Sequence, residues 1–261
     1  SERVCQRRPC VSRGAAMTAS PAASPGRDYL SIAASLLQRL GDDRWSSIDA
    51  AADVVATSLA AGGTIHAFGT GHSHMLAEEI FYRAGGLVRV RPILFDGLML
   101  HGSAPLSTAL ERLDGLAEAL VADHGVAAGD VVFVISNSGG NAVTAELVEA
   151  VHARGARVIA VTSVAHATSP ARRASTRRPL HETADVVIDN GGVVGDAAVQ
   201  IDGLDRGVGP TSTVIGAAAL NAVIVEAVGR LAAAGNPPEI FASSNTAGGD
   251  AVNGALLDRR S

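Results

Sequence analysis

The strongest constraint in this sequence is a repeated alternation of short apolar runs with longer stretches of helical spacing. The runs are Thr64 to Phe68, Leu87 to Ile93, Val131 to Ile135, Arg157 to Val161 and Val186 to Ile188. Between them His74 to Ala84, Ser107 to His124 and Asn141 to Arg154 read as helices. Strands that alternate with helices require right-handed crossovers, which produce a parallel sheet covered on both faces. The expected class is therefore α/β, a three-layer α/β/α sandwich around a five-stranded parallel sheet. Two helices precede the sheet. Leu30, Ile32, Leu36, Leu37 and Leu40 recur at helical spacing from Asp28 until Gly41, and a second helix spans Ser47 to Ala61 before Gly62-Gly63. The apolar stretch Thr213 to Ala234 predicts a long buried helix suited to a subunit contact. Thr108 with Glu111 three residues on has the form of a capping box that starts the helix after the second strand.

Composition narrows the function. Of 261 residues 47% are hydrophobic and 18% charged, enough apolar surface for a large core. Aromatics make up 3% and the net charge is −5, which weighs against nucleic acid as a partner. All 21 basic residues are Arg, so Schiff-base and Walker-lysine chemistry are excluded. The only cysteines are Cys5 and Cys10, and beyond them no disulfide, thiolate nucleophile or cysteine metal site exists. That usage fits a reducing, cytoplasmic setting. No window of 18 consecutive apolar residues occurs, so a membrane partner is not expected. Residues 1–26 carry Arg3, Arg7, Arg8 and Arg13 against Glu2 and then turn Ala-, Ser- and Pro-rich, which predicts a disordered extension with Met17 suited to a true start. Residues 27–235 form the expected domain. The tail, 236–261, is rich in Gly and Asn and shows no periodicity.

In an open parallel sheet ligands bind at the carboxyl ends of the strands, where the connections diverge. The loops there are Gly69-Thr70-Gly71-His72-Ser73-His74 after the first strand and Ser136-Asn137-Ser138-Gly139-Gly140-Asn141 after the third. A helix start presents unpaired N–H groups and partial positive charge, and glycine lets an anion approach the backbone. Ser136, Ser138 and Asn141 add side-chain donors, a phosphate cradle that needs no lysine. The same residue types also cap helices, so both roles stay open at this level. The first loop is not a dinucleotide fingerprint, because His74 stands where the third glycine belongs. Downstream, Arg172, Arg173, Arg177 and Arg178 form a basic loop that either attracts an anionic substrate or is simply solvated.

Strand-GxGxS-helix at Gly69 to Ser73, strand-SxSG-helix at Ser136 to Gly139, then Val158-Ile159-Ala160-Val161-Thr162-Ser163 and Ala184-Asp185-Val186-Val187-Ile188, resemble the sugar isomerase (SIS) domain proteins. These include phosphoheptose isomerases and N-acetylmuramic acid 6-phosphate etherases. The resemblance covers roughly residues 30 to 233, and Gly71 to Glu79 is similar to a bacterial SIS subfamily related to phosphoheptose isomerases. It implies a flavodoxin-like SIS fold and a phosphorylated sugar as ligand, with a homo-oligomer, dimer or tetramer, whose sites lie near subunit boundaries. It implies that Ser136, Asn137 and Ser138 hold the phosphate and that Thr70, Gly71, His72 and Ser73 line the sugar. Asn141 departs from the family's usual Ser or Thr while keeping a donor.

Aldose–ketose isomerisation needs a base at carbon and an acid at oxygen. The resemblance points to Glu79 as base with Glu78 as its neighbour, four residues short of the family's Ala-Glu-Glu along the helix. His101, in the loop after the second strand, is a candidate acid. No cofactor is expected, and no metal: His72, His74 and Glu78 are donors that in principle suit a divalent ion, but no HExxH pattern or cysteine supports a site. A lyase or etherase acting on an amino-sugar phosphate and a non-catalytic phosphosugar-binding module are the alternatives.

Overall fold

The computed structural model describes residues 24–258, so the expected extension, with Cys5, Cys10 and Met17, lies almost wholly outside the described residues. Helices α1 (Pro25–Asp42) and α2 (Trp45–Ala60) lead into β1 (Ile65–Gly69), α3 (His74–Glu79) and β2 (Val90–Ile93). Then come α4 (Ala104–Leu110), α5 (Leu116–Asp123), β3 (Val131–Ile135), α6 (Ala142–Ala153), β4 (Arg157–Thr162), α7 (Val164–Thr168), α8 (Leu180–Thr183) and β5 (Val186–Asp189). The described chain closes with α9 (Ser212–Ala233) and α10 (Gly249–Asp258).

The five strands are all parallel in the order β2-β1-β3-β4-β5, the flavodoxin-like arrangement. Successive side chains of a strand point to opposite faces, and both faces are apolar here. Phe133, Ile135, Ile159 and Val161 join Ile65 and Ala67 in the core under α1, α2, α3 and α9. Val132, Val134, Val158 and Ala160 join Phe68 in the opposite core under α5, α6 and α8. This two-sided burial is why the strands read as continuous apolar runs rather than alternating ones. Pro92 lies opposite Ala67 on β2, an edge strand, where a residue without an N–H is tolerated. Helix α9 is long and apolar enough to cross a membrane by length and composition; in this fold Ile215, Ala219, Leu220, Val223 and Ala227 turn one face of it into the core.

Two expectations are corrected. The helix expected over Ser107 to His124 is two helices, separated at Gly115, whose φ of +89° is left-handed. Ser103 caps the first, its hydroxyl accepting from the Leu106 N–H at 3.3 Å with Pro105 in the opening turn. Thr108 therefore lies inside α4 and Glu111 just beyond it, and the two form no capping box.

The helix from His74 stops at Glu79, and Leu87 and Val88 stay outside β2. The tail, whose order its lack of periodicity left open, is ordered and pairs with the segment before β2. Phe241 donates its N–H to the Gly86 carbonyl at 3.0 Å and accepts from Gly85 N–H at 2.9 Å, while Val88 N–H donates to the Glu239 carbonyl at 3.1 Å. Phe241 and Leu256 bury against Val88. Asn253 clamps the approach to α10, accepting from Ala242 N–H at 2.9 Å and donating to its carbonyl at 3.0 Å.

Candidate functional site

The strand register places the two glycine-containing loops together, because Gly69 of β1 lies opposite Ile135 of β3. Thr70 and Ser136 thus leave the sheet side by side. From there the chain runs from β1 to the β2 edge and later to β4 on the other side, opening a crevice between the two loops.

Local packing dictates the shape of each loop. A Cβ on Gly69 would stand 2.5 Å from the Ser73 carbonyl carbon and oxygen, so only glycine fits where the first loop folds back. Gly71 continues with φ +56° into a 3-10 turn over Gly71–Ser73, and His74 hydrogen-bonds through Nδ1 to the Gly71 carbonyl. In the second loop the Ser136 hydroxyl accepts from Gly139 N–H at 3.1 Å, and Gly139, at φ +63°, accepts on its carbonyl from Leu180 N–H at 2.8 Å. The Asn137 side-chain oxygen accepts from Asn190 Nδ2 at 3.0 Å. Asn141 occupies the cap position of α6 yet makes no side-chain capping bond; its Oδ1 accepts from Arg173 Nη2 at 3.0 Å instead. The first turn of α6 is left without a side-chain cap, though its Val143 N–H donates to the Glu111 carbonyl at 3.2 Å.

These loops line one open cleft of about 340 Å³. Thr70, Gly71, His72, Ser73, Ser136, Asn137, Ser138 and Asn141 all contribute to its wall. The three residues expected to carry the chemistry do not. Glu79 accepts from Asn221 Nδ2 at 2.9 Å and pairs with Arg83, which turns its carboxylate toward α9. Glu78 is exposed, its Oε2 3.9 Å from His74 Nε2. His101 is exposed beside Met99, its Nε2 3.1 Å from Sδ, with its ring edge-on to His74 at 5.4 Å. The physical reason is the pitch of α3: it starts at the lip of the cleft and buries Leu76 and Ala77, which carries positions 78 and 79 away from the opening.

Three titratable side chains that sequence reasoning did not single out for chemistry do line the cleft: Glu111, His166 and Asp196. The Thr70 hydroxyl donates to Glu111 Oε2 at 2.9 Å, while Oε1 has no hydrogen-bond partner among the described residues. His166 Nδ1 accepts from Gly195 N–H at 2.9 Å, so the neutral ring carries its proton on Nε2, an assignment from the bonding pattern. Asp196, at φ +53°, caps α9: Oδ1 accepts from the N–H groups of Thr211 and Ser212 at 3.0 Å each, and Oδ2 from the Ser212 hydroxyl at 2.5 Å. That carboxylate is committed to the helix start, whereas Glu111 keeps an oxygen available. In the sequence Glu111 stands out only as the acidic partner of Thr108 in the expected capping box, which gives no sign of a place on the cleft. Among the described residues no group of three or more His, Cys, Asp or Glu side chains stands together as a metal site.

A family profile described as the SIS domain matches residues 28–163. A UPF0309 protein of Listeria monocytogenes is 40% identical over 232 residues, covering 89% of this chain and 94% of its own. A UPF0309 protein of Halalkalibacterium halodurans is 43% identical over 209 residues, covering 80% and 84%. Among solved structures, a phosphoheptose isomerase from Francisella tularensis superposes with a TM-score of 0.51 at 16% identity, covering 77% of this chain and 95% of that one, a likeness of fold.

Proposed function

This chain belongs to the SIS domain family, and from that premise we propose that its cleft binds a phosphorylated sugar and moves a proton between adjacent carbons, as an aldose–ketose isomerase does. The observation that carries the reading is the convergence, on one cleft, of a helix start without a side-chain cap, flanked by serines, with a carboxylate that has one oxygen unengaged among the described residues. The N–H groups of the first turn of α6 other than that of Val143, together with the hydroxyl of Ser138, receive the phosphate. The opposite wall, Thr70 to Ser73, receives the sugar.

Glu111, rather than Glu79 or Glu78, then serves as the base. Its carboxylate takes the proton from the carbon beside the carbonyl, leaving an enediolate; the hydroxyl proton then passes to the former carbonyl oxygen, and the carboxyl returns its own proton to the neighbouring carbon, so that the carbonyl forms on the other oxygen. Thr70 holds Oε2 and so directs Oε1 into the cleft. The Nε2–H of His166 supplies a donor for the oxygen on which charge develops, a stabilisation that is strong where water is displaced. The assembly is proposed to be a homo-oligomer joined through exposed apolar residues of α1 and α9, among them Leu30 at 66% and Val225 at 71% exposure; light scattering of the purified protein tests that.

Proton NMR in D2O with hexose, heptose and N-acetylamino-sugar phosphates tests the reaction. Deuterium entering the carbon beside the carbonyl, an isomeric product, and loss of both in Glu111→Gln support it. Release of a ring substituent instead identifies a lyase on an amino-sugar phosphate. Line broadening of a sugar phosphate without exchange leaves a binding module and overturns the catalytic part, and absence of any interaction overturns the whole.

A further inference from the structure

The segment between α7 and α8 carries four arginines, and the structure separates them by partner. Arg173 donates to Asn141 Oδ1 at 3.0 Å. Arg177 pairs with Asp114 at 2.8 Å and Glu146 at 2.9 Å. Arg178 donates to the Glu182 carbonyl at 3.1 Å and lies 3.7 Å from that residue's carboxylate. Arg172 has no acidic partner among the described residues, and its Nη1 is shielded from solvent with no hydrogen-bond partner there. A guanidinium keeps its charge at any physiological pH, so a shielded donor without an acceptor is an unfavourable state that an arriving anion relieves.

Its position says which anion. A Cβ on Gly140 would stand 2.9 Å from Arg172 Nη1, 3.7 Å from its Cζ and 3.8 Å from the Ser138 carbonyl oxygen. The guanidinium therefore lies against the backbone of the Ser136–Asn141 loop, at the start of α6. Gly140 does not adopt a positive φ, so its backbone conformation does not demand glycine; a Cβ there would instead push the Arg172 guanidinium aside. In a chain without lysine this is a cation with no acidic partner among the described residues, set against the Ser136–Asn141 loop though not itself part of the cleft lining.

We propose that Arg172 is the counter-charge of the phosphate subsite, reaching the anion across Gly140 and favouring a doubly charged phosphate monoester over a neutral sugar. The inference rests on the reading of Ser136–Asn141 as the phosphate loop. In the same way as that loop holds the phosphate by N–H and O–H donors, Arg172 supplies the net charge they lack, through charge-assisted hydrogen bonds.

Inorganic phosphate is the probe, titrated calorimetrically and by the amide shifts of Gly139 to Asn141 in the full chain. Arg172→Gln is expected to weaken binding by about tenfold or more and to flatten its salt dependence, with Arg172→Lys recovering part of the loss. Gly140→Ala, which displaces the guanidinium, is expected to match Arg172→Gln, and the double variant to be no weaker than either single one. Phosphate binding by Arg172→Gln equal to wild type, with Ser138→Ala impaired, overturns the inference and leaves the phosphate loop standing. Loss in Arg172→Gln with no recovery in Arg172→Lys and unchanged salt dependence also overturns it, as a structural effect. A wild-type chain that binds no phosphate overturns the inference together with the reading beneath it.

Discussion

The hydroxyl of Thr70 donates to Oε2 of Glu111 at 2.9 Å, joining residues 41 positions apart. The contact ties the loop after β1 to the end of α4 and holds a carboxylate on the wall of the cleft. Glu79, on the helix that starts at the same lip, is instead tied to Arg83 and Asn221.

The two carboxylates therefore separate in a kinetic experiment. Glu111→Gln is expected to slow solvent deuterium exchange into a sugar phosphate substrate by about 10²- to 10⁴-fold, the range of one general base, with ligand affinity retained. Thr70→Val leaves the carboxylate present but unsupported and gives a smaller loss in kcat. Glu79→Gln is expected to stay close to the wild-type rate. A large effect at Glu79 with none at Glu111 would return the base to α3.

Ser138 and Gly139 are neighbours with opposite signatures. Gly139 sits at φ +63°, and a Cβ there would lie 3.1 Å from Leu180 Cβ; a left-handed residue with a Cβ costs about 1–2 kcal/mol. Gly139→Ala is thus expected to lower the melting temperature by about 2–8 °C. Ser138→Ala is expected to leave melting unchanged and to weaken phosphate binding. Thermal unfolding with and without phosphate reads both.

His66 makes stability depend on pH. It is buried on β1, Nε2 3.3 Å from Asp130 Oδ2, and burial pushes its pKa below the ordinary 6.5 although the Asp130 carboxylate opposes the shift. The unfolded chain then binds this proton at higher pH than the folded one. The stability associated with neutral His66 is complete above about 6.5 and is lost as the pH falls through the lower folded value. Urea unfolding across that window is expected to show a slope that His66→Gln removes; an equal slope in the variant refutes the assignment.

The tail is a structural strap on the edge of the sheet. Phe241 is 3% exposed and packs on Val88 and Leu256. Phe241→Ala is expected to cost about 3 kcal/mol and to lower the melting temperature by about 6–12 °C. Hydrogen exchange should show the amides of Val88 and Phe241 losing protection together. If melting is unaffected, the strap contributes nothing to the fold.

Much of the architecture was readable from the chain. Val131 to Ile135 and Arg157 to Val161 are apolar on both faces, and residues of that kind, spaced by helix-length segments, leave a parallel sheet with two helical layers as the arrangement that buries them. Gly69, Thr70 and Gly71, and Ser136 to Gly139, were equally plain as turns at the carboxyl edge, because their composition is fixed by what a sharp turn into a helix requires. Local rules also misled. Thr108 and Glu111 have the spacing of a capping box, but Ser103 and Pro105 start the helix earlier, and the tail without periodicity is ordered by pairing with Gly85 to Val88, residues more than 150 positions away.

What the sequence determined by itself, then, is whatever depends on neighbours along the chain: which segments are strands and helices, where glycine is needed, and that two hydroxyl-rich loops open at one edge. What only the tertiary structure decided is which polar side chains meet across that edge. Glu111 faces the cleft and Glu79 does not, Asp196 is consumed by the start of α9, and Arg172, against Gly140, is the one of four neighbouring arginines without a side-chain partner among the described residues. Those outcomes follow from the direction in which each element leaves the sheet and from which partner reaches a charge first, and neither is written in any local run of residues.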